Sequence, residues 1–213
     1  GMNAFDVLFF RFFFAGIFFY FILRLRKEPL AVTWLQMRIL LIMGIVGYVL
    51  MNATLFLSYN YLSIGLATTI HFAYPIVVTI LAYFLYQQKL RRSGLMALVL
   101  ATLGIILLSV DDYSITNMFG ILLSFSSAVF FAAYVLLIAH PEIKGMSPWK
   151  ILFYVSSLTA VLLFVGELCF GTTPFVRLTG MGCLYMLILS IGCTVVALAL
   201  FTLGIKRMGP ATA

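Results

Sequence analysis

The chain has 213 residues, 64% of them hydrophobic and only 9% charged. Soluble domains carry about 25% charged residues to cover their surface, so this composition excludes a soluble globule and implies a polytopic membrane protein. The net charge of +7 does not call for a nucleic-acid partner, because the basic residues sit in short breaks between apolar runs, where topology accounts for them.

Taken in chain order, seven runs are long enough for a helix of roughly 20 residues. They lie near 5–24, 38–60, 65–86, 93–110, 117–139, 149–168 and 181–205. The breaks between them hold turn residues, as in "RKEP", "QQKLRRSG", "DDYS" and "HPEIKGMSP". One alternate set of breaks holds Arg24, Arg26, Lys27, Arg38, Lys89, Arg91, Arg92, Lys144, Lys150, Lys206 and Arg207, eleven of the 13 basic residues. The other set holds Arg177 beside Asp111 and Asp112, and Arg11 lies inside the first run. The positive-inside rule puts the first set in the cytoplasm and residue 1 outside. Cys169, Cys183 and Cys193 form no CxxC pair and read as free buried thiols. The first run begins almost at Gly1, which predicts that a segment precedes it.

An internal repeat emerges at an offset of 144 residues: Ala53, Gly65, Ala67 and Thr68 lie over Ala197, Gly209, Ala211 and Thr212. A repeat unit of that length holds five spans, and an odd number turns the second copy upside down, as in many secondary transporters. The run at 117–139 then has no partner in the first copy, and the partners of 65–86 and 93–110 fall beyond residue 213. The chain therefore reads as seven helices and the start of an eighth, from a protein of ten.

The third run, "GLATTIHFAYPIVVTILAYFL", carries both a histidine and a proline. On a continuous helix Thr68, His71, Tyr74 and Pro75 share one face. Pro75 has no N–H, so the carbonyl of His71 loses its helical partner and should face protein or water. That face is expected to line a polar cavity, with His71 binding substrate or taking up a coupling proton and Pro75 acting as a hinge. The structural alternative is a histidine bonded to a neighbouring helix beside an ordinary membrane proline. In the preceding run Tyr48, Asn52 and Tyr59 form a polar stripe, in which Asn52 serves either substrate contact or interhelical bonding and Tyr59 reads with Asn60 and Tyr61 as an interfacial belt. Gly120, Ser124, Ala128 and Ala132 make a small-residue packing ridge, with Ser127 and Tyr134 turned aside from it as further cavity candidates. Gly94, Ala97, Ala101 and Gly104 suggest a similar seam. Arg11 reads as a snorkelling or anchoring residue, and Ser190 and Thr194 share a face without a legible role.

No HExxH, GxSxG or Walker A pattern is present, so no enzyme activity, cofactor or metal is expected. Asp6, Asp111, Asp112 and Glu167 sit near the outer ends of spans, leaving no pair of intramembrane carboxylates.

Several segments together resemble the EamA family of the drug/metabolite transporter superfamily. These are "FDVLFFRFFFAG", "ATLFLSYNYLSIG" running into "LATTIHFAYPIVVTILAYFLYQQKL", "GLMALVLATLGIILLSV", "GILLSFSSAVFFAAYVLL" and "ALFTLGIKRMGPATA". The resemblance implies an all-α membrane fold of two inverted five-helix repeats. Residues 1–110 would be helices 2–5 of the first, and 111–213 helices 6–8 and the start of 9 of the second. It implies alternating-access transport of small polar metabolites or drugs, often efflux, in a cell membrane such as the bacterial inner membrane. The partners expected are a small-molecule substrate, the lipid bilayer and, as one option, a coupling proton, with the oligomeric state open. A membrane scaffold that kept the fold without transport is the alternative.

Overall fold

The computed structural model describes residues 4–86, 96, 99–100, 103–104, 117–169 and 180–209. Every regular element among them is helical. Among the described residues six helices are long and apolar enough to cross a membrane: Phe5–Leu25, Trp34–Ser58, Ile64–Leu85, Met118–Ile138, Pro148–Cys169 and Gly180–Arg207. The fold is thus that of an all-α polytopic membrane protein. The run at 93–110, with its small-residue seam, lies mostly outside the described residues, as do Asp111, Asp112 and Arg177.

The elements are α1 (Ala4–Leu25), α2 (Trp34–Gly44), a π-helical stretch (Ile45–Leu50) and α3 (Met51–Ser58). Then come α4 (Ile64–His71), α5 (Tyr74–Tyr86), α6 (Met118–Ile138), the short α7 (Pro141–Lys144) and α8 (Pro148–Cys169). The last span is α9 (Gly180–Leu189), a second π-helical stretch (Ser190–Val196) and α10 (Ala197–Met208).

Local chemistry sets the helix starts. Thr33 and Gln36 form a reciprocal capping box, Thr33 Oγ1 accepting from Gln36 N at 3.2 Å and Gln36 Oε1 from Thr33 N at 3.0 Å. The second span consequently begins at Trp34, four residues before the sequence-based boundary. Arg38, expected in a loop, lies inside the helix with its guanidinium 5.0 Å from the Trp34 ring. Ser63 and Asn117 cap α4 and α6 by accepting from Leu66 N and Gly120 N.

The chain divides into two compact units, Gly1–Ile45 with His140–Arg207 and Val46–Ala139 with Met208–Ala213. The first boundary falls inside the second span, at its π-helical stretch.

In the first unit α1 packs along α8. Phe9 stacks near Phe164 (5.7 Å) and Tyr20 near Phe153 (5.9 Å), so the two helices run antiparallel. Both helices are 22 residues long, and their bounds are displaced by 144 residues at each end. The two ring pairs exchange under that displacement, Phe9 becoming Phe153 and Tyr20 becoming Phe164. The last span packs on α1 with Ala15, Phe19, Leu152, Val195 and Ala199 as its buried contact. Lys206 Nζ donates to the carbonyls of Ile143, Lys144 and Met146, closing the turn after α7. The loop before α2 is pinned by Tyr154 Oη to Leu30 O (2.5 Å) and Lys150 Nζ to Ala31 O (2.8 Å).

In the second unit α3, α4 and α5 pack on α6. All four ridge residues, Gly120, Ser124, Ala128 and Ala132, are buried. A Cβ on Gly120 would meet Tyr61 Cβ at 2.7 Å and Leu62 Cγ at 2.8 Å, so only glycine admits the α3–α4 turn against α6.

Candidate functional site

The third span is not one bent helix. After His71 the chain turns through Phe72 and Ala73, and a new helix opens at Tyr74. The turn is held by Ala73 N donating to Ile70 O (3.0 Å) and Ile76 N donating to Ala73 O (2.9 Å). The single face proposed for Thr68, His71, Tyr74 and Pro75 is therefore corrected. Pro75, in the first turn of α5 where its missing N–H costs nothing, is exposed, whereas His71 is 8% exposed. Thr68 is half-buried and returns its hydroxyl to Ile64 O at 2.6 Å, within its own helix.

His71 ends α4 facing α6. Its Nδ1 lies 2.9 Å from Ser127 Oγ, and Ser127 Oγ is 2.6 Å from Ser124 O. A hydroxyl has one proton. Ser127 gives it to the carbonyl, so His71 Nδ1 must carry the proton of the other bond, which leaves the Nε2 lone pair for a further partner. Around this pair the aromatic rings are contiguous. Phe131 lies 5.7 Å from His71 and 4.7 Å from Tyr74, and Tyr74 lies 6.0 Å from His71. Tyr134 stacks on Phe131 at 5.7 Å and meets Tyr48 edge-to-face at 4.9 Å.

The structure therefore brings His71, Ser127, Tyr74, Tyr134 and Tyr48 into one cluster, all within the second unit. Among the described residues no side-chain hydrogen bond or ring contact links Thr68 or Pro75 to it. Asn52 is half-buried and donates to Tyr48 O at 2.8 Å, four residues back in its own helix. That bond lies within its own span, beside the π-helical stretch where the i→i−4 ladder is interrupted.

Sequence reasoning missed Phe131, which lies four residues after Ser127 and so on its face. It also missed a polar group in the first unit. Arg11 Nε donates to Thr194 Oγ1 at 3.1 Å, and Ser190 Oγ donates to Arg11 O at 2.7 Å. The sequence offers a signal for this. At the 144-residue offset Val46 and Leu50 stand against Ser190 and Thr194, so the two offset segments differ in polarity there. Asp6 and Glu167 are both buried, whereas Cys169 and Cys193 are exposed, which corrects the buried thiols expected there. Among the described residues no group of His, Cys, Asp or Glu could hold a metal ion.

Six apolar helices among the described residues, one interrupted beside a buried histidine, define a multi-pass membrane protein. The model of the EamA-like transporter family matches residues 1–110. The chain belongs to that family. A crystal structure described only as that of a protein shares the fold with a TM-score of 0.74 at 19% identity, over 97% of this chain and 71% of that one. No curated protein matches the sequence.

Proposed function

We propose that the chain is part of a secondary transporter that moves small polar metabolites or drugs by alternating access, in the efflux direction, in a cell membrane with its basic loops cytoplasmic. The observation that carries this reading, beyond the family, is the helix break at Phe72–Ala73 with His71 beside it. An interrupted membrane helix exposes unpaired backbone groups, which are tolerated where they line a cavity. An ionisable side chain at that depth is expensive unless it serves a ligand.

In this reading Ser127 orients the His71 ring and Nε2 faces the cargo, as acceptor for a substrate donor or for a coupling proton. Tyr74, Phe131 and Tyr134 supply an apolar wall suited to an amphipathic molecule, and Tyr48 continues it. The turn between α4 and α5 is the element that moves, and Pro75 keeps α5 from fusing with α4. The test is flux of a metabolite and drug panel in vesicles holding the full-length protein, wild type and His71→Ala, with and without a pH gradient. Loss of flux in His71→Ala supports the site. Normal flux in that variant under all conditions removes His71 from it. Full-length protein that moves no compound would favour a scaffold.

A further inference from the structure

A cavity of about 510 Å³ lies between α1 and α8, wholly within the first unit. Apart from Ser157 and Tyr20 its lining is apolar, and the repeat shapes it: Phe9 and Phe153, Ile17 and Val161, and Tyr20 and Phe164 are equivalent positions on the two walls. From Phe9 to Tyr20 it runs roughly 16 Å along α1, at about 1.5 Å per residue. That is close to one leaflet of the hydrocarbon core, about half of some 30 Å.

The two ends differ in charge. Arg24 follows Ile17 by seven residues and Tyr20 by four, so it continues the groove's face of α1. Arg24, Lys27, Leu23 and Glu28 line a second, polar pocket of about 370 Å³ there. Glu28 is engaged by Arg26 Nε at 3.0 Å. Among the described residues neither Arg24 nor Lys27 has a carboxylate within ion-pair distance. At the other end α1 begins with Phe5 and Asp6 and α8 ends near Glu167, with no described cation on the groove.

Lys27 adds a second observation. Its φ is 53°, the left-handed conformation that normally takes glycine at a helix C-terminus. Glu28 N donates to Leu23 O at 3.1 Å and Lys27 N to Arg24 O at 3.2 Å, the bond pair of a Schellman motif. A lysine holds this position at a conformational cost, and its side chain lines the polar pocket.

We infer that the groove and the basic pocket are one site for an anionic phospholipid, with an acyl chain between α1 and α8 and the phosphate at Arg24 and Lys27. Charge complementarity decides the occupant: a bare hydrocarbon face would take any lipid, whereas the two cations select a negative headgroup in the leaflet that the basic loops mark as cytoplasmic.

The test uses delipidated full-length protein in detergent, mixed with equal amounts of phosphatidylglycerol and phosphatidylcholine, with bound lipid read by native mass spectrometry. Phosphatidylglycerol should be retained preferentially. Arg24→Gln with Lys27→Gln should erase the preference, at roughly fivefold per cation. Ile17→Trp, at a half-open position in the groove, should reduce retention of both lipids, with thermal unfolding confirming that each variant is folded. Equal retention of the two lipids by wild type, a preference that survives the double variant, or Ile17→Trp binding as wild type would overturn the site. So would displacement of the lipid by inorganic phosphate, which marks a free-anion pocket, or a lipid-independent dimer lost in Ile17→Trp, which gives the groove to a second copy.

Discussion

His71 Nδ1 lies 2.9 Å from Ser127 Oγ, and the serine's own proton is committed to Ser124 O at 2.6 Å. The serine therefore fixes both the tautomer and the plane of the histidine ring. Ser127→Ala removes the acceptor and leaves a buried N–H unpaired, which costs about 1–3 kcal/mol. The expected outcome is a lower unfolding temperature together with reduced flux, because the ring loses its orientation. A variant that lost stability but transported normally would make the bond purely structural.

Gly47 stands against Tyr134, and a Cβ there would sit 2.5 Å from the tyrosine's Cβ. The neighbouring atom belongs to the stem of the ring, not to a flexible tip, so it cannot yield. Gly47→Ala should destabilise the protein by about 1–3 kcal/mol through overpacking, and should displace the Tyr134 ring from the His71 cluster. Gly65 is the control: nothing lies within 4 Å of its Cβ position. Gly65→Ala is expected to be neutral or to stabilise by up to about 1 kcal/mol. Thermal unfolding of the two variants side by side checks the pair.

How legible this molecule was depends on the kind of signal. Span positions follow from apolar run length, and α1 and α8 emerged within one residue of their expected bounds because nothing but lipid solubility decides them. The start of α2 was missed because Arg38 read as loop, whereas the capping box at Thr33 and the Trp34 ring carry the helix past it. Pro75 signalled an interruption but not its form. Whether a freed carbonyl bends a helix or ends it depends on what packs alongside, here Ser127 and Phe131 on α6. The π-helical stretches have no compositional mark, and they decide where Asn52 and Thr194 point. Arg11 could not be assigned a partner for the same reason, since Thr194 is 183 residues away.

Thr194→Val keeps the shape of the side chain and removes the oxygen that receives Arg11 Nε. The guanidinium then loses one charge-assisted bond in a part-buried position, worth about 1.5–3 kcal/mol. A lower unfolding temperature is expected, and a double-mutant cycle with Arg11→Leu should show a coupling between the two residues, because they share this bond. Additive losses in that double-mutant cycle would show that Thr194 and Arg11 stabilise the fold separately.

Lys27→Gly separates conformational cost from ligand gain. Glycine adopts the left-handed conformation at φ 53° without the Cβ clash that lysine suffers. In lipid-free detergent the variant should therefore be more stable, by about 1 kcal/mol. A ligand that binds the folded state raises the unfolding temperature according to its affinity. Adding phosphatidylglycerol should then stabilise wild type more than the variant, narrowing or reversing the order seen without lipid. Phosphatidylcholine should leave the order unchanged. If both lipids shift the two proteins equally, Lys27 contributes nothing to headgroup recognition, and its backbone conformation stands as a cost without that return.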